Sequence, residues 1–315
     1  MASSTFSLQS PDGTPIHVHR WVPDGEVRGA VQIVHGVAEH GARHAHVAEA
    51  LNARGYAVYA SDHRGHGLTA ESEDDLGFFA EDRGWARVLD DLYRLNRRIV
   101  DDHPGVPVYL LGHSMGSVLA QQYLFTFPAT VQGLVLSGVV RPLGALLETG
   151  AALARAEIKR EGPRGRSELL NAMVFGAYNR TFAPNRTEFD HLSRDPAVVD
   201  AYVADPRCGF RLTNRLWLDF FSGLRVVAQV ERLESVPRDT PIYLFAGDED
   251  PVGDTGKAMQ RLLAAFEQAG LHQVESRLYP GGRHEMLNEI NRDAVIEDLA
   301  DWLDATTAAL TGEDA

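Results

Sequence analysis

The stretch that decides the fold is Tyr109 to Phe125, YLLGHSMGSVLAQQYLF. An apolar run ends in Gly112-His113-Ser114-Met115-Gly116, and a helical apolar pattern follows at once. A short apolar run ending in glycine reads as a buried strand, and the spacing after Ser114 predicts a helix. Gly-x-Ser-x-Gly between a strand and a helix puts serine on a sharp, strained turn with its hydroxyl exposed. The flanking glycines suit that turn, because side chains two positions either side of the serine would meet neighbouring backbone. The helix N-terminus behind Ser114 stabilises negative charge that develops nearby. Ser114 is therefore a candidate nucleophile.

The same alternation extends outward from this point. Residues 29–36 (GAVQIVHG), 56–62 (YAVYASD), 107–113 (PVYLLGH) and 131–140 (VQGLVLSGVV) read as buried strands. Residues 42–55, 84–104 and those after Ser114 read as the helices between them, with Gly55 and Pro104 as stops. Residues 14–22, TPIHVHRWV, alternate like an antiparallel strand near an edge. The rhythm returns with a strand at 240–250 (TPIYLFAGDED), a helix at 254–270, a strand at 273–281 (QVESRLYPG) and a final helix at 285–310. Alternating strands and helices predict a mostly parallel sheet covered on both faces.

Residues 141–236 break the pattern. Leu143, Leu146, Leu147, Leu153, Ala154 and Ile158 share a helical stripe. Phe175, Tyr178, Phe182, Phe189, Trp217, Phe220 and Phe221 add aromatic bulk. This predicts a helical insertion serving as a lid between two halves of the core, residues 1–140 and 237–315. Each aromatic taken singly packs the insertion onto the core just as readily.

A serine hydroxyl needs a base, and the base needs an orienting carboxylate. On such a sheet the expected chain order is Ser, then Asp or Glu, then His. Asp250, beyond the strand at 240–250, and His284, in the loop PGGRHEM after the last strand, supply it. His272 lies at the wrong end of its strand. Asp248 reads as a turn support, and Asp254 as the N-cap of the next helix. A tetrahedral oxyanion needs two backbone N–H donors. Met115, after the nucleophile, and Val37, in the loop following the strand at 29–36, are the candidates, with Gly36 beside them.

HGVAEHGARH, DHRGHGLT, GHSMGS, GDEDPV and YPGGRHE together resemble the α/β-hydrolase superfamily. The particular resemblance is to its monoacylglycerol lipase and lysophospholipase-like branch, also called serine aminopeptidase-like. It spans nearly the whole chain. It implies an eight-stranded α/β-hydrolase sheet, a helical cap over an acyl-binding channel, and hydrolysis of single-chain acyl esters without cofactor. Gly36, His40, His113, Leu143, Leu147 and Phe175 are the residues expected to line that site. Ser117 stands where many relatives have a second glycine, and Val37 where mammalian members have alanine. An amidase or aminopeptidase would use the same three residues, and a ligand-binding protein could retain the fold without turnover.

Composition bounds the partners. The 315 residues are 44% hydrophobic and carry a formal net charge of −14, which disfavours nucleic acid and anionic membranes. A small acyl ester remains the expected partner, with transient contact between the cap and a lipid surface. The single cysteine, Cys208, forbids an internal disulfide and reads as a buried cap thiol. The N-terminal residues show neither a basic nor an apolar secretory region, and no apolar run reaches membrane-spanning length, which predicts a cytoplasmic protein. Asn179 and Asn185 match the glycosylation pattern by chance in such a setting. His35, His40, His44 and His46 match no zinc spacing, so no metal is expected; His44 and His46 read as helix-surface residues. HRGHG lacks the lysine and serine of a phosphate loop.

Overall fold

The computed structural model describes residues 2–141 and 144–312. Strands β1 (Ala2–Gln9), β2 (Pro15–Val22), β3 (Gly29–Val34), β4 (Tyr56–Ser61), β5 (Val108–His113), β6 (Gly133–Ser137), β7 (Ile242–Gly247) and β8 (Val274–Tyr279) build one eight-stranded sheet. Its order is β1-β2-β4-β3-β5-β6-β7-β8. β2 pairs antiparallel with β1 and β4, and every other pairing is parallel. β3 through β7 are buried along their whole lengths, as continuous apolar runs require.

The helices are α1 (Ala45–Ala53), α2 (Gly84–Asp102), α3 (Met115–Thr126), α4 (Gly144–Glu161), α5 (Glu168–Phe175), α6 (Pro196–Ala204), α7 (Asn214–Val227), α8 (Lys257–Gln268) and α9 (Arg292–Thr311). Successive strand residues face opposite sides of a sheet. Leu110, Leu134, Leu136 and Leu244 accordingly pack with residues of α2, α3 and α8. Tyr109, Leu111, Val135 and Phe245 pack with α1 and α9 on the other side. The chain leaves β3 for β4 on one side and returns to β5 on the other. A ligand crevice is expected at the carboxyl ends where that reversal occurs.

Between β6 and β7 the helices α4 to α7 form the cap insertion of this α/β-hydrolase fold. Ser167, Asp195 and Thr213 cap α5, α6 and α7 by accepting N–H bonds from Leu170, Ala197 and Leu216. Leu147, Ala151, Ala154, Leu170, Trp217 and Phe220 join the apolar cluster that contains Met115, Leu119 and Val139. The large cap aromatics Trp217, Phe220 and Phe221 are thus packing residues. Among the described residues no helix is long and apolar enough to cross a membrane.

The structure departs from the sequence reading in three local places. Ala2–Gln9, not anticipated as a strand, adds β1 to the sheet edge. Asp254 is not the N-cap of α8: Gly256 takes that position, and Asp254 instead pairs with Lys257 and Arg261. The last long helix starts at Arg292 rather than 285. Its intended first turn is diverted because Glu285 is drawn to Arg43 and Glu289 accepts the backbone N–H groups of Arg194 and Arg283.

Candidate active site

Ser114 joins β5 to α3 with φ 53° and ψ −119°, a conformation that costs a non-glycine residue about 1–3 kcal/mol. The turn is held on both sides. Ser114 N–H donates to Ser137 O at 3.0 Å, and Ser114 O accepts Ser117 N–H at 2.8 Å. The Ser117 hydroxyl donates to the same carbonyl at 2.7 Å. Ser117 therefore adds a clamp to the strained residue.

His284 Nε2 lies 2.9 Å from Ser114 Oγ, and its Nδ1 lies 3.0 Å from Asp250 Oδ2. With Nδ1–H donating to the carboxylate, Nε2 is the acceptor facing the serine hydroxyl. Asp250 Oδ1 accepts Val252 N–H at 2.9 Å, which fixes the carboxylate. Asp248 accepts Gly281 N–H at 2.6 Å, tying the end of β7 to the loop that carries His284. Three strand ends thus bring Ser114, Asp250 and His284 into one hydrogen-bonded line.

Burial alone would lower the His284 pKa, but Asp250, by charge and hydrogen bond, outweighs it and raises the value, with help from Glu285 and Glu39. Burial would raise Asp250, and the facing His284 outweighs that and holds it below the usual carboxylate range. Two neighbouring rings behave oppositely. His113, 5.0 Å ring to ring from His284, is pushed down to about 4 by burial and by that neighbour. His191, whose carbonyl accepts His284 N–H at 3.2 Å, is likewise lowered to about 4.

The loop after β3 closes on Ser114. A Cβ at Gly36 would lie 3.2 Å from Ser114 Cβ and 2.7 Å from Glu39 Oε1, so that position has no room for a side chain. Val37 is half-buried next to it, and Met115 is fully buried at the start of α3. Gly36 N–H donates to Glu39 Oε1 at 2.6 Å. Arg43 then binds Glu39 Oε2 at 2.7 Å and both oxygens of Glu285 at 2.8 and 2.7 Å. Burial would raise both carboxyls, but His44 and Arg43 hold Glu39 well below the usual range, and Arg43 lowers Glu285. The Arg43 guanidinium also sits 4.8 Å over the ring of Tyr202 in α6, whose hydroxyl donates to Ala38 O at 2.8 Å. Sequence reasoning missed Glu39, Arg43 and Glu285. The four-residue spacing of Glu39 and Arg43, and the position of Glu285 beside His284, were the available signals.

Of the expected lining residues, His40 spends Nε2 on Asp205 Oδ2 at 2.9 Å, which ties the loop to the cap. His113 is buried behind His284, with Nδ1 3.4 Å from Ser137 Oγ. Leu147 is buried within the shared cluster. Phe175 is half-buried, 5.3 Å from the ring of Trp217. Leu143 lies outside the described residues. His44 is not a surface residue, and His46 is half-buried. His44 is 1% exposed and 3.6 Å from Glu39, and His46 is held by Leu287 O at 2.7 Å. Cys208 is buried, and burial pushes its thiol up.

This packing of neutral histidines predicts acid lability. His63 at about 3, and His66, His113 and His191 at about 4, titrate below the ordinary 6.5; His35 is depressed as well. As pH falls from 6.5 toward 4 these rings gain protons in the unfolded chain before the folded one, so stability falls. Asp91 and Asp219, whose pKa values are raised, act the other way in this window, while the raised His284 contributes a constant amount below 6.5. The depressed rings, which also include His17, His46 and His103, outnumber these groups. The thermal midpoint is expected to drop continuously across that window at constant ionic strength. A flat profile would contradict this reading of the buried rings.

The family model described as "Serine aminopeptidase, S33" matches residues 25–291. The chain is 30% identical to a monoacylglycerol lipase of Mycolicibacterium smegmatis, over 96% of this chain and 99% of that one. It is 27% identical to the human monoglyceride lipase, covering 96% and 90% of the two chains. A solved carboxyl esterase from Bacillus coagulans, in complex with glycerol, superposes with a TM-score of 0.90 at 30% identity, covering 98% of this chain and 99% of that one. A Gly-x-Ser-x-Gly turn in its strand-helix setting and a match along most of the chain lead to one conclusion: this protein belongs to the serine aminopeptidase S33 family of α/β-hydrolases, in its monoacylglycerol lipase and esterase-like branch.

Proposed function

We propose that the protein hydrolyses single-chain acyl esters of the monoacylglycerol or lysophospholipid type through an acyl-enzyme on Ser114. The observation that carries this reading is the line Ser114 Oγ, His284, Asp250, with spacings of 2.9 and 3.0 Å. Ser114 Oγ attacks the ester carbonyl as His284 Nε2 takes its proton. Asp250 keeps the imidazole in the required tautomer and stabilises its cation. The N–H groups of Val37 and Met115 receive the oxyanion. His284 then protonates the leaving alcohol, which departs with the C–O bond electrons. A water attacks the acyl-enzyme, its proton passing to His284 and then back to Ser114 Oγ.

Residues 141–236 act as the cap over a core made of 1–140 and 237–315. Leu147 and Phe175 support an apolar path beneath it, and the names of the relatives support the ester class. The exposed side chains of Leu169 and Val203 on the cap suit transient contact with a lipid surface.

A fluorophosphonate probe tests the reading. It should form one adduct, on Ser114, and a monoacylglycerol should protect against it. The enzyme should release fatty acid from monoacylglycerols and leave aminoacyl naphthylamides intact. Amide turnover without ester turnover would overturn the substrate class, and an adduct on another serine would overturn the site.

A further inference from the structure

A second cluster of chemistry-bearing side chains lies at the other end of the loop that follows β3. His17 and His19 are two apart on β2 and so share a face of the sheet. In the antiparallel pairing of β2 with β4, Val18 faces Ser61. Asp62 therefore falls opposite His17, and Asp62 N–H donates to His17 O at 2.9 Å. One ring nitrogen of each histidine and one Asp62 oxygen lie within 4.8 Å of one another. The sheet register, not a flexible loop, sets this juxtaposition.

We propose that His17, His19 and Asp62 bind one zinc ion, at a site separate from the hydrolytic centre. Two imidazoles and a carboxylate, with a water in the fourth position, are a donor set that zinc uses. Tetrahedral bonds of about 2.0–2.1 Å place ligand atoms roughly 3.3 Å apart. His19 Nε2 and Asp62 Oδ1 are already 3.2 Å apart. His17 Nε2 is buried with no hydrogen-bond partner, which leaves an unsatisfied donor atom at the cluster. Asp62 is fully buried and its orientation is fixed from behind: Gly41 N–H donates to Oδ1 at 2.8 Å and Leu68 N–H to Oδ2 at 2.7 Å. Such outer hydrogen bonds orient metal-ligating carboxylates. The cap's Arg207 opposes a cation near His17, but its Nε is 3.4 Å from Asp205, which shares its charge.

His40, Asp205 and Cys208 form another such trio among the described residues. There burial keeps the Cys208 thiol protonated, whereas the first trio needs no thiolate. The first cluster is the better ligand set.

The test titrates chelator-stripped full-length protein with zinc against a chromophoric zinc chelator, and separately with cobalt(II) monitored by visible absorption. Wild type and Cys208→Ser should each bind one equivalent of zinc, and the thermal midpoint should rise with zinc concentration. His17→Gln and His19→Gln should each weaken binding by at least about tenfold. Without zinc, His17→Gln should keep wild-type ester turnover and circular dichroism, since Thr69 bonds its backbone and not its ring. Three results would overturn the proposal: no stoichiometric binding, affinity indifferent to His17→Gln, or a cobalt-thiolate charge-transfer band that Cys208→Ser removes.

Discussion

Ser114→Ala is expected to lower kcat for a short p-nitrophenyl ester by roughly 10⁶-fold. Its thermal midpoint should stay within about 3 °C of the parent. The two outcomes separate because of how the turn is held. The Ser114 side chain contributes one hydrogen bond, to His284, worth about 1 kcal/mol net. The backbone bonds from Ser114 N–H to Ser137 and from Ser117 to Ser114 O do not involve that hydroxyl. Alanine retains the Cβ, so the strain at φ 53° is unchanged. Asp250→Asn should be the milder lesion, with a loss of roughly 10⁴-fold, because the amide favours the wrong imidazole tautomer while the nucleophile stays in place. Removal of Asp250 also takes away what raises the His284 pKa, so the acid limb of the residual rate should move to lower pH. Purified Ser114→Ala that still turned over the ester would refute the mechanism.

Gly116→Ala should be among the most damaging additions of a single methyl group at the described residues. Its Cβ would lie 1.9 Å from Val34 O and 2.6 Å from His35 O, both backbone atoms of the central strand and its exit. No rotamer relieves a Cβ clash, so α3 must move away from the end of β3. That helix is packed by Met115, Val118 and Leu119, all fully buried. The expected cost is on the order of 3–5 kcal/mol, read as a lowered denaturant midpoint. Any protein that still folds should have lost roughly 10²-fold in ester turnover, because a displacement of about 1 Å separates Ser114 and Met115 from His284 and Val37. An unchanged midpoint with full probe labelling of Ser114 would show that the close approach of α3 to β3 is not required.

The central strands were legible because burial on both faces leaves nearly continuous apolar runs such as YLL and YAVYA. β1 was not, since Ser3-Ser4-Thr5-Phe6-Ser7-Leu8 offers only two large apolar side chains and gains its pairing from β2. The order of Ser114, Asp250 and His284 could be read because each follows a recognisable strand. Arg43 could not be paired with Glu285 in this way, as 242 residues separate them. His44 sits in a helical pattern that gives no sign of burial. Its surroundings come from Glu39 and from the His113 ring 6.5 Å away, on other elements. Asp254 failed as a cap for a local reason: it, Thr255 and Gly256 all take left-handed backbone, so α8 starts two residues later than its side chain could serve.

Arg43 has a practical consequence for anyone exchanging modules within this family. The cap looks separable between β6 and β7, where the chain leaves and re-enters the sheet. Yet Tyr202 and Asp205 travel with a transplanted cap, while their partners Arg43, Ala38 and His40 remain behind. A grafted cap lacking an aromatic ring and a carboxylate at those places would strand a buried cation and loosen the loop that faces Ser114. Swaps chosen to alter substrate range would then depress turnover for every substrate alike. Chimeras that carry residues 38–43 together with the cap are the ones whose selectivity can be compared fairly.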